Sequence, residues 1–136
     1  MSFLSEMKDQ LVASSVGTFG TTIFIGSSAI IPIGDGPYLS LIETGGSGAV
    51  RSQNGTPLEQ PSAQLSARAK QPLAARTMLI AAYTALGGAN GLHNVTLSGV
   101  WYVSLTFRQS SPTDVGLDDA GRALLVINVD AEKAPS

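Results

Sequence analysis

The stretch AQLSARAK, residues 63–70, constrains the fold more than any other part of the sequence. Four apolar positions alternate with four polar ones, as expected of a β-strand with one buried face. Three of the four apolar side chains are alanines, so this face should accept a helix at close range. The apolar positions are Ala63, Leu65, Ala67 and Ala69. Arg68 and Lys70 belong to the other face, which we expect to be solvated or in an interface.

Two helices are predicted from apolar residues at helical spacing. The main helix should span residues 72–86, because Pro72 suits a first helical turn and Gly87-Gly88 suits a helix end. Its apolar stripe is Leu73, Met78, Leu79, Ala82, Tyr83 and Leu86. A shorter helix is predicted over residues 2–15, with Ser2 available as the N-cap and an apolar stripe of Phe3, Leu4, Met7, Leu11 and Val12.

Four further segments have strand character, and they complete the predicted fold. They are TTIFIG (21–26), PYLSLIE (37–43, with Leu39 and Leu41 on one face), VWYVSLTFR (100–108) and RALLVINVDAE (122–132). Trp101 and Phe107 alternate on one strand and are predicted to be core. The last two strands should pair antiparallel. The sequence therefore predicts one α+β domain over residues 1–136, with a mostly antiparallel sheet and both helices on one face.

Residues 44–62, TGGSGAVRSQNGTPLEQPS, are rich in glycine and proline and lack an apolar pattern. We interpret them as a long loop between two strands. Loops of this length are uncommon inside compact domains and are often functional. Two interpretations stay open: a mobile loop, or a docking arm that becomes ordered on a partner.

The acidic stretch DVGLDD carries Asp114, Asp118 and Asp119. Read as an EF-hand, it has Gly116 at position 3 and Leu125 at position 12, where oxygen ligands are needed. A glycosidase pair needs carboxylates held across a cleft by rigid elements. Asp118-Asp119-Ala120-Gly121 suits a turn, because aspartates bond nearby amides and glycine accepts a positive φ. The turn is the favoured interpretation over a metal site or a catalytic pair.

The sequence gives little support to catalysis. His93 is the single histidine and there is no cysteine, so a zinc site lacks ligands. The GxSxG elbow is absent, and Gly45-Gly46-Ser47-Gly48 is only a partial look-alike. Neither a GK[ST] phosphate loop nor GxGxxG occurs. We predict a protein that is not an enzyme and has no cofactor, with His93 in a surface loop.

Charged residues make up only 13% of the chain, and the net charge is -2. A surface with so few charges favours contact with other proteins, and a surface rich in serine, threonine and glutamine is the alternative explanation. Lysine and arginine occur without a basic run, which argues against tight binding of nucleic acid. No apolar run is long enough to span a membrane.

Three blocks of the sequence resemble the tail terminator proteins of long-tailed bacteriophages, also called minor capsid proteins. The blocks are FGTTIFIGSSAIIPIGDGPYLSLIETGGSG, LEQPSAQLSARAKQPLAARTMLIAAYTAL and GLHNVTLSGVWYVSLTFRQSSPTDVGLDDAGRALLVINVDAEK. They follow the family order and cover nearly the whole chain. The spacing of Gln109 and Pro112 in RQSSP departs from the family pattern.

The resemblance implies a structural virion protein that is assembled in the host cytoplasm and resides at the tail or neck. Such proteins form a homo-hexameric ring that caps the tail tube, stops its polymerisation and joins it to the head-side connector. DNA passes through the lumen without specific binding, and no membrane is involved. Open alternatives are a head-completion or neck adaptor protein and a small ligand-binding domain.

Within that implied role, two segments are expected to make contacts. Residues 44–62 should touch the tube or a neighbouring subunit, and 109–121 should touch a neighbour or the connector. Deleting 46–55 should abolish ring or tube binding and leave a folded monomer. Arginines 51, 68 and 108 are candidate partners for the three aspartates. The expected interface residues are Gly46, Arg51, Gln53, Asn54, Glu59, Arg68, Arg108, Asp114, Asp118 and Asp119.

Overall fold

The structure, a computed structural model, describes residues 3–26, 34, 36–51, 57–118 and 120–135, with only the backbone for 47–51. Within these residues the chain forms two α-helices and a seven-stranded sheet. The elements are α1 (Phe3–Ala13), β1 (Ile23–Ile25), β2 (Tyr38–Arg51), β3 (Pro57–Ala69), α2 (Pro72–Ala85), β4 (Leu92–Leu97), β5 (Val100–Phe107), β6 (Thr113–Leu117) and β7 (Ala123–Lys133). The predicted α+β class is confirmed. Neither described helix is both long and apolar enough to cross a membrane.

The sheet runs in the order β1-β2-β3-β7-β5-β4, with β6 also paired to β7. β1 and β2 are parallel, and every other pair is antiparallel, including the predicted pair of β5 and β7. Because β3 occupies one side of β7 over its whole length, β5 and β6 lie end to end along its other side. The central strand is therefore β7.

One face of the sheet packs against both helices. The predicted buried face of β3 is confirmed, and its four residues oppose buried residues of β7 in register. Leu65, for example, lies between Leu41 and Ile127, and all three side chains are fully buried. The helices add their own apolar stripes to the same cluster, which includes Met7 of α1 and Leu79 of α2.

A larger side chain at Ala67 would test how closely α2 packs on the sheet. Its side chain is fully buried in the cluster that α2 completes. Ala67→Leu should lower the free energy of unfolding by about 1–3 kcal/mol, because a packed core has no room for the added carbons. Urea unfolding measures this change. Ala13→Leu, at the exposed end of α1, should change it by less than about 0.5 kcal/mol. Equal effects of the two variants would contradict the packing.

Three apolar residues predicted to be core lie at the surface. Leu73 is 73% exposed on the first turn of α2, and Val12 is 40% exposed near the end of α1. Trp101 is also 40% exposed, and its indole Nε1 donates a hydrogen bond to Asn94 Oδ1 at 2.8 Å. The reason is a bulge in β5 between Tyr102 and Ser104. The extra residue brings Tyr102 and Leu105 to the buried face.

The prediction that residues 44–62 form a loop is wrong. β2 continues to Arg51 and β3 begins at Pro57, so most of this range is a long antiparallel hairpin. We call residues 44–62 the arm. The described part of the arm does not alternate regularly between buried and exposed residues, and β1 pairs with β2 only at residues 39–41, outside the arm. The register shifts between Glu43 and Gly45 and again between Ser47 and Val50. Residues 52–56 lie outside the described residues.

Two strands were missed by the sequence reasoning. β4 contains His93, which is exposed but belongs to a strand and not to the predicted loop. All five residues of β6 are exposed, and a bulge between Asp114 and Gly116 breaks its alternation. In neither strand do buried and exposed residues alternate regularly, and this alternation is what identifies a strand in a sequence. The N-cap proposed at Ser2 lies outside the described residues.

Candidate assembly interface

The base of the arm requires glycine at one paired position that lies between two register shifts. Gly46 opposes Pro61 and has a φ of 129°. A Cβ at this position would lie 2.1 Å from the carbonyl oxygen of Gln60, so any other residue would distort the hairpin. Arg51 is the last residue of β2 and its backbone pairs with Pro57. Gln53 and Asn54 lie outside the described residues.

Glu59 joins the arm to a buried ionic cluster that the sequence reasoning did not find. Lys133 Nζ lies 3.6 Å from Glu59 Oε1 and 3.2 Å from Glu6 Oε1. Tyr102 donates its hydroxyl to the same Glu6 oxygen at 2.6 Å. Glu6 and Lys133 are almost completely buried, whereas Glu59 remains half exposed. Burial and the Glu6 hydrogen bond raise the pKa of Tyr102, which keeps the donor proton in place.

Arg108 is held inside its own chain by Asp130. Its guanidinium donates from Nε and Nη2 to the two carboxylate oxygens, both at 2.8 Å, and Ser62 donates to the same carboxylate. The Arg108 hydrogen bond lowers the pKa of Asp130, and Asp130 raises the pKa of Arg108. Arg108 therefore already has an acidic partner other than the three aspartates.

A polar cavity of about 490 Å³ surrounds the Arg108–Asp130 pair on the sheet face opposite the helices. Gly46 lines this cavity too, so the base of the arm and Arg108 share one concave surface. Glu132 adds a second carboxylate to the lining. The structure thus brings two of the predicted interface residues together.

Arg68 does not lie on a solvated face. It is 9% exposed, and its guanidinium carbon lies 5.7 Å from the centre of the Tyr38 ring. Burial lowers the pKa of Arg68, and the nearby Arg122 lowers it further, while Asp118 acts in the opposite direction. Arg68 is thus close to Asp118 within one chain. Lys70 is exposed, as predicted.

Asp118 forms the predicted turn between β6 and β7. Its Oδ1 accepts hydrogen bonds from the backbone N–H groups of Ala120 and Arg122, and its Oδ2 accepts one from Arg122 Nε at 2.8 Å. The N–H of Gly121 donates to the carbonyl oxygen of Asp118. Arg122 also donates from Nη1 to the carbonyl oxygen of Gly34. These bonds close the turn, and Gly121 suits its end because its φ of 77° favours glycine.

The other two aspartates differ from Asp118. Asp114 lies exposed in β6, and its Oδ1 accepts a hydrogen bond from the Gly116 N–H at 2.8 Å. Asp119 lies outside the described residues. Among the described residues, no group of three or more histidine, cysteine, aspartate or glutamate side chains is arranged to hold a metal ion.

The Asp118 turn should make stability depend on pH. The Arg122 backbone hydrogen bond is the main cause that lowers the pKa of Asp118 below the ordinary 3.8, so its contribution is complete above that value. Asp118→Asn loses the ion pair with Arg122 and should lower the melting temperature at neutral pH. The difference from wild type should shrink as pH falls through the lowered pKa. Thermal unfolding across pH measures it; a pH-independent difference would contradict the assignment.

The predicted interface residues form two groups at opposite ends of β7. Glu59 pairs with Lys133 at one end of this strand, whereas Leu117 of β6 and Ala69 of β3 both pair with Ala123 at the other. At about 3.3 Å per residue, the two ends are roughly 30 Å apart. The arm and the acidic hairpin therefore present two separate surfaces.

Comparisons with known proteins identify the fold. No family model matches this sequence, and no curated protein matches it. Among solved structures, a chain from the virion of a native gene transfer agent particle has the same fold, with a TM-score of 0.69 and 18% sequence identity. The match covers 98% of this chain and 96% of that chain. Almost the whole chain thus shares its fold with a chain of that virion particle.

Proposed function

We propose that this protein is a structural component of a phage-like virion. The observation that carries the proposal is the match over 98% of this chain and 96% of a virion chain. A match that leaves almost nothing unaligned in either partner favours a shared role as a whole subunit. The low content of charged residues is consistent with a surface that contacts other proteins.

The role that best fits the arrangement is a tail terminator. In this role the protein forms a homo-hexameric ring that caps the tail tube, ends its polymerisation and joins it to the head-side connector. The order of the three resembling sequence blocks supports this role. So do the two surfaces at opposite ends of β7, because a ring subunit needs separate faces for the tube, the connector and its neighbours.

Each surface has a place in this proposal. The arm contacts the tube or a neighbouring subunit, and residues 109–121 contact a neighbour or the connector. DNA passes through the lumen without specific binding, which is consistent with a net charge of -2 and the absence of a basic run. The role requires no cofactor and no catalytic residue.

A tube-length assay tests the capping role. Purified tail tube protein is allowed to polymerise from tail initiation complexes, with and without this protein, and tube lengths are measured by negative-stain microscopy. Capping should arrest elongation and leave density at one end of each tube. Elongation at the same rate, with bare tube ends, would refute the terminator role.

A neck adaptor or head-completion protein is the second candidate, since the fold match is to a virion particle and not to one position in it. An adaptor would bind isolated portal-bearing heads and leave tube growth unchanged. Pull-down on heads and on tubes separates the two roles. A small ligand-binding domain would bind neither.

A further inference from the structure

β6 presents apolar side chains on an unprotected strand. Val115 is 56% exposed and Leu117 is 71% exposed. Among the described residues, β6 pairs only with β7, so its second edge makes no ladder hydrogen bonds. An exposed edge strand with apolar side chains is a site at which another chain associates.

A groove beside α2 is also apolar and could accept the side chains of β6. It has a volume of about 840 Å³ and lies between the first half of α2 and the connection from α1 to β1. Its lining is mainly apolar and includes Val16, Leu73 and Met78. Leu73 is 73% exposed at its entrance, although it belongs to the apolar pattern of the helix.

Opposite charges flank these two apolar surfaces. Asp114 precedes Val115 in β6, and Arg76 lies on α2 between Leu73 and Thr77, which both line the groove. Both charged residues are exposed, and neither has an ion-pair partner among the described residues. A contact that buries the apolar residues would bring a carboxylate and a guanidinium into reach of each other.

We propose that β6 of one copy packs into the α2 groove of the next copy. Val115 and Leu117 enter the groove against Leu73, and Asp114 pairs with Arg76. This inference rests on the proposed ring, for which it names the lateral contact.

The geometry of the sheet makes this contact heterologous. β6 lies beside β7, whereas the groove is bounded by Thr22 and Pro37 next to β1 and β2, with β3 in between. The two surfaces are formed by different elements of the subunit, so neither can serve as its own partner. A contact between such surfaces repeats from subunit to subunit and closes as a ring when the rotation allows it.

The absence of cysteine from the chain makes a direct cross-linking test possible. The double variant L73C/L117C, treated with a short bis-maleimide, should give a ladder of covalent multimers on a denaturing gel. The matched pair A89C/L117C should stay monomeric, because Ala89 is exposed but lies beyond the end of α2. The single variants control for chance collisions. Circular dichroism verifies that every variant is folded.

Charge exchange gives an independent readout. D114R and R76D should each weaken ring association by about tenfold or more, and D114R/R76D should recover most of it. Native mass and microscopy identify whether the wild type forms a ring. A wild-type ring with neither the L73C/L117C ladder nor an effect of the charge variants would overturn this contact and leave the ring standing. A wild type that stays monomeric with tubes present would overturn both.

Discussion

Replacing residues 51–57 with Asn-Gly should abolish capping of tail tubes and leave the free energy of unfolding unchanged. The replacement removes the residues that connect the two strands, including Arg51, Gln53 and Asn54, and keeps Val50 and Leu58 as the last described pair. Asn-Gly forms the tight turn that joins two antiparallel strands. Loss of central interface residues costs about 2 kcal/mol or more, so tube affinity should fall at least about 30-fold.

The hairpin explains why this replacement is a better test than deleting 46–55. Residues 46–51 are the partner strand of residues 57–61, so the deletion would leave half of a ladder unpaired. Sedimentation with preformed tubes measures binding, and urea unfolding measures stability. Ser98→Asn, in the exposed turn between β4 and β5, is the control and should bind normally. Normal binding by the shortened arm would exclude the arm from the tube contact.

Lys133→Met should lower the free energy of unfolding by about 3–5 kcal/mol, the largest effect expected of any single substitution here. Lys133 and Glu6 are 2% and 0% exposed, and their charged atoms lie 3.2 Å apart. Removing the ammonium group leaves a buried carboxylate whose charge is no longer compensated. Glu6 Oε2 makes no hydrogen bond within the described part of the chain, which increases that cost. Urea unfolding at neutral pH measures the change.

A second substitution identifies the cause of this loss. Glu6→Gln keeps an acceptor for the Tyr102 hydroxyl but removes the charge, so E6Q/K133M should be more stable than K133M. Lys70→Met, at an exposed position, should change stability by less than about 0.5 kcal/mol. If K133M also changes it by less than 0.5 kcal/mol, or if E6Q adds its own loss, the buried pair does not have the proposed role.

The sequence predicted those elements in which one face is buried along the whole element. The alternation in residues 63–70 identified a strand, and the helical spacing in 72–86 identified α2, because both elements face a continuous core. The prediction failed at Trp101 because a single bulge in β5 changes which of its alternating residues face the core. A bulge leaves no signal in the apolar pattern except a break in its period.

The arm and the ionic cluster were hidden for a different reason. The strands of the arm pair through their backbones without a regular apolar pattern, so their composition resembled that of a loop. Glu6 and Lys133 lie near opposite ends of the chain, and nothing in one sequence pairs them. Arg68 is buried beside the ring of Tyr38, its partner across β2 and β3, and this neighbour depends on sheet order.

The acidic stretch was understood in part. Asp118 forms the predicted turn, because its hydrogen bonds to Ala120 and Arg122 are local and follow from residue type. The preceding residues belong to β6, whose exposed side chains give no core signal. Local chemistry was thus predictable, whereas a strand whose five residues are all exposed was not.

The most direct test of the proposed ring is the native mass of the purified protein by light scattering, with negative-stain images of the same peak. We predict a six-fold ring, either alone or after tail tubes are added. A strict monomer that ignores tail tubes would contradict the ring and the capping role together.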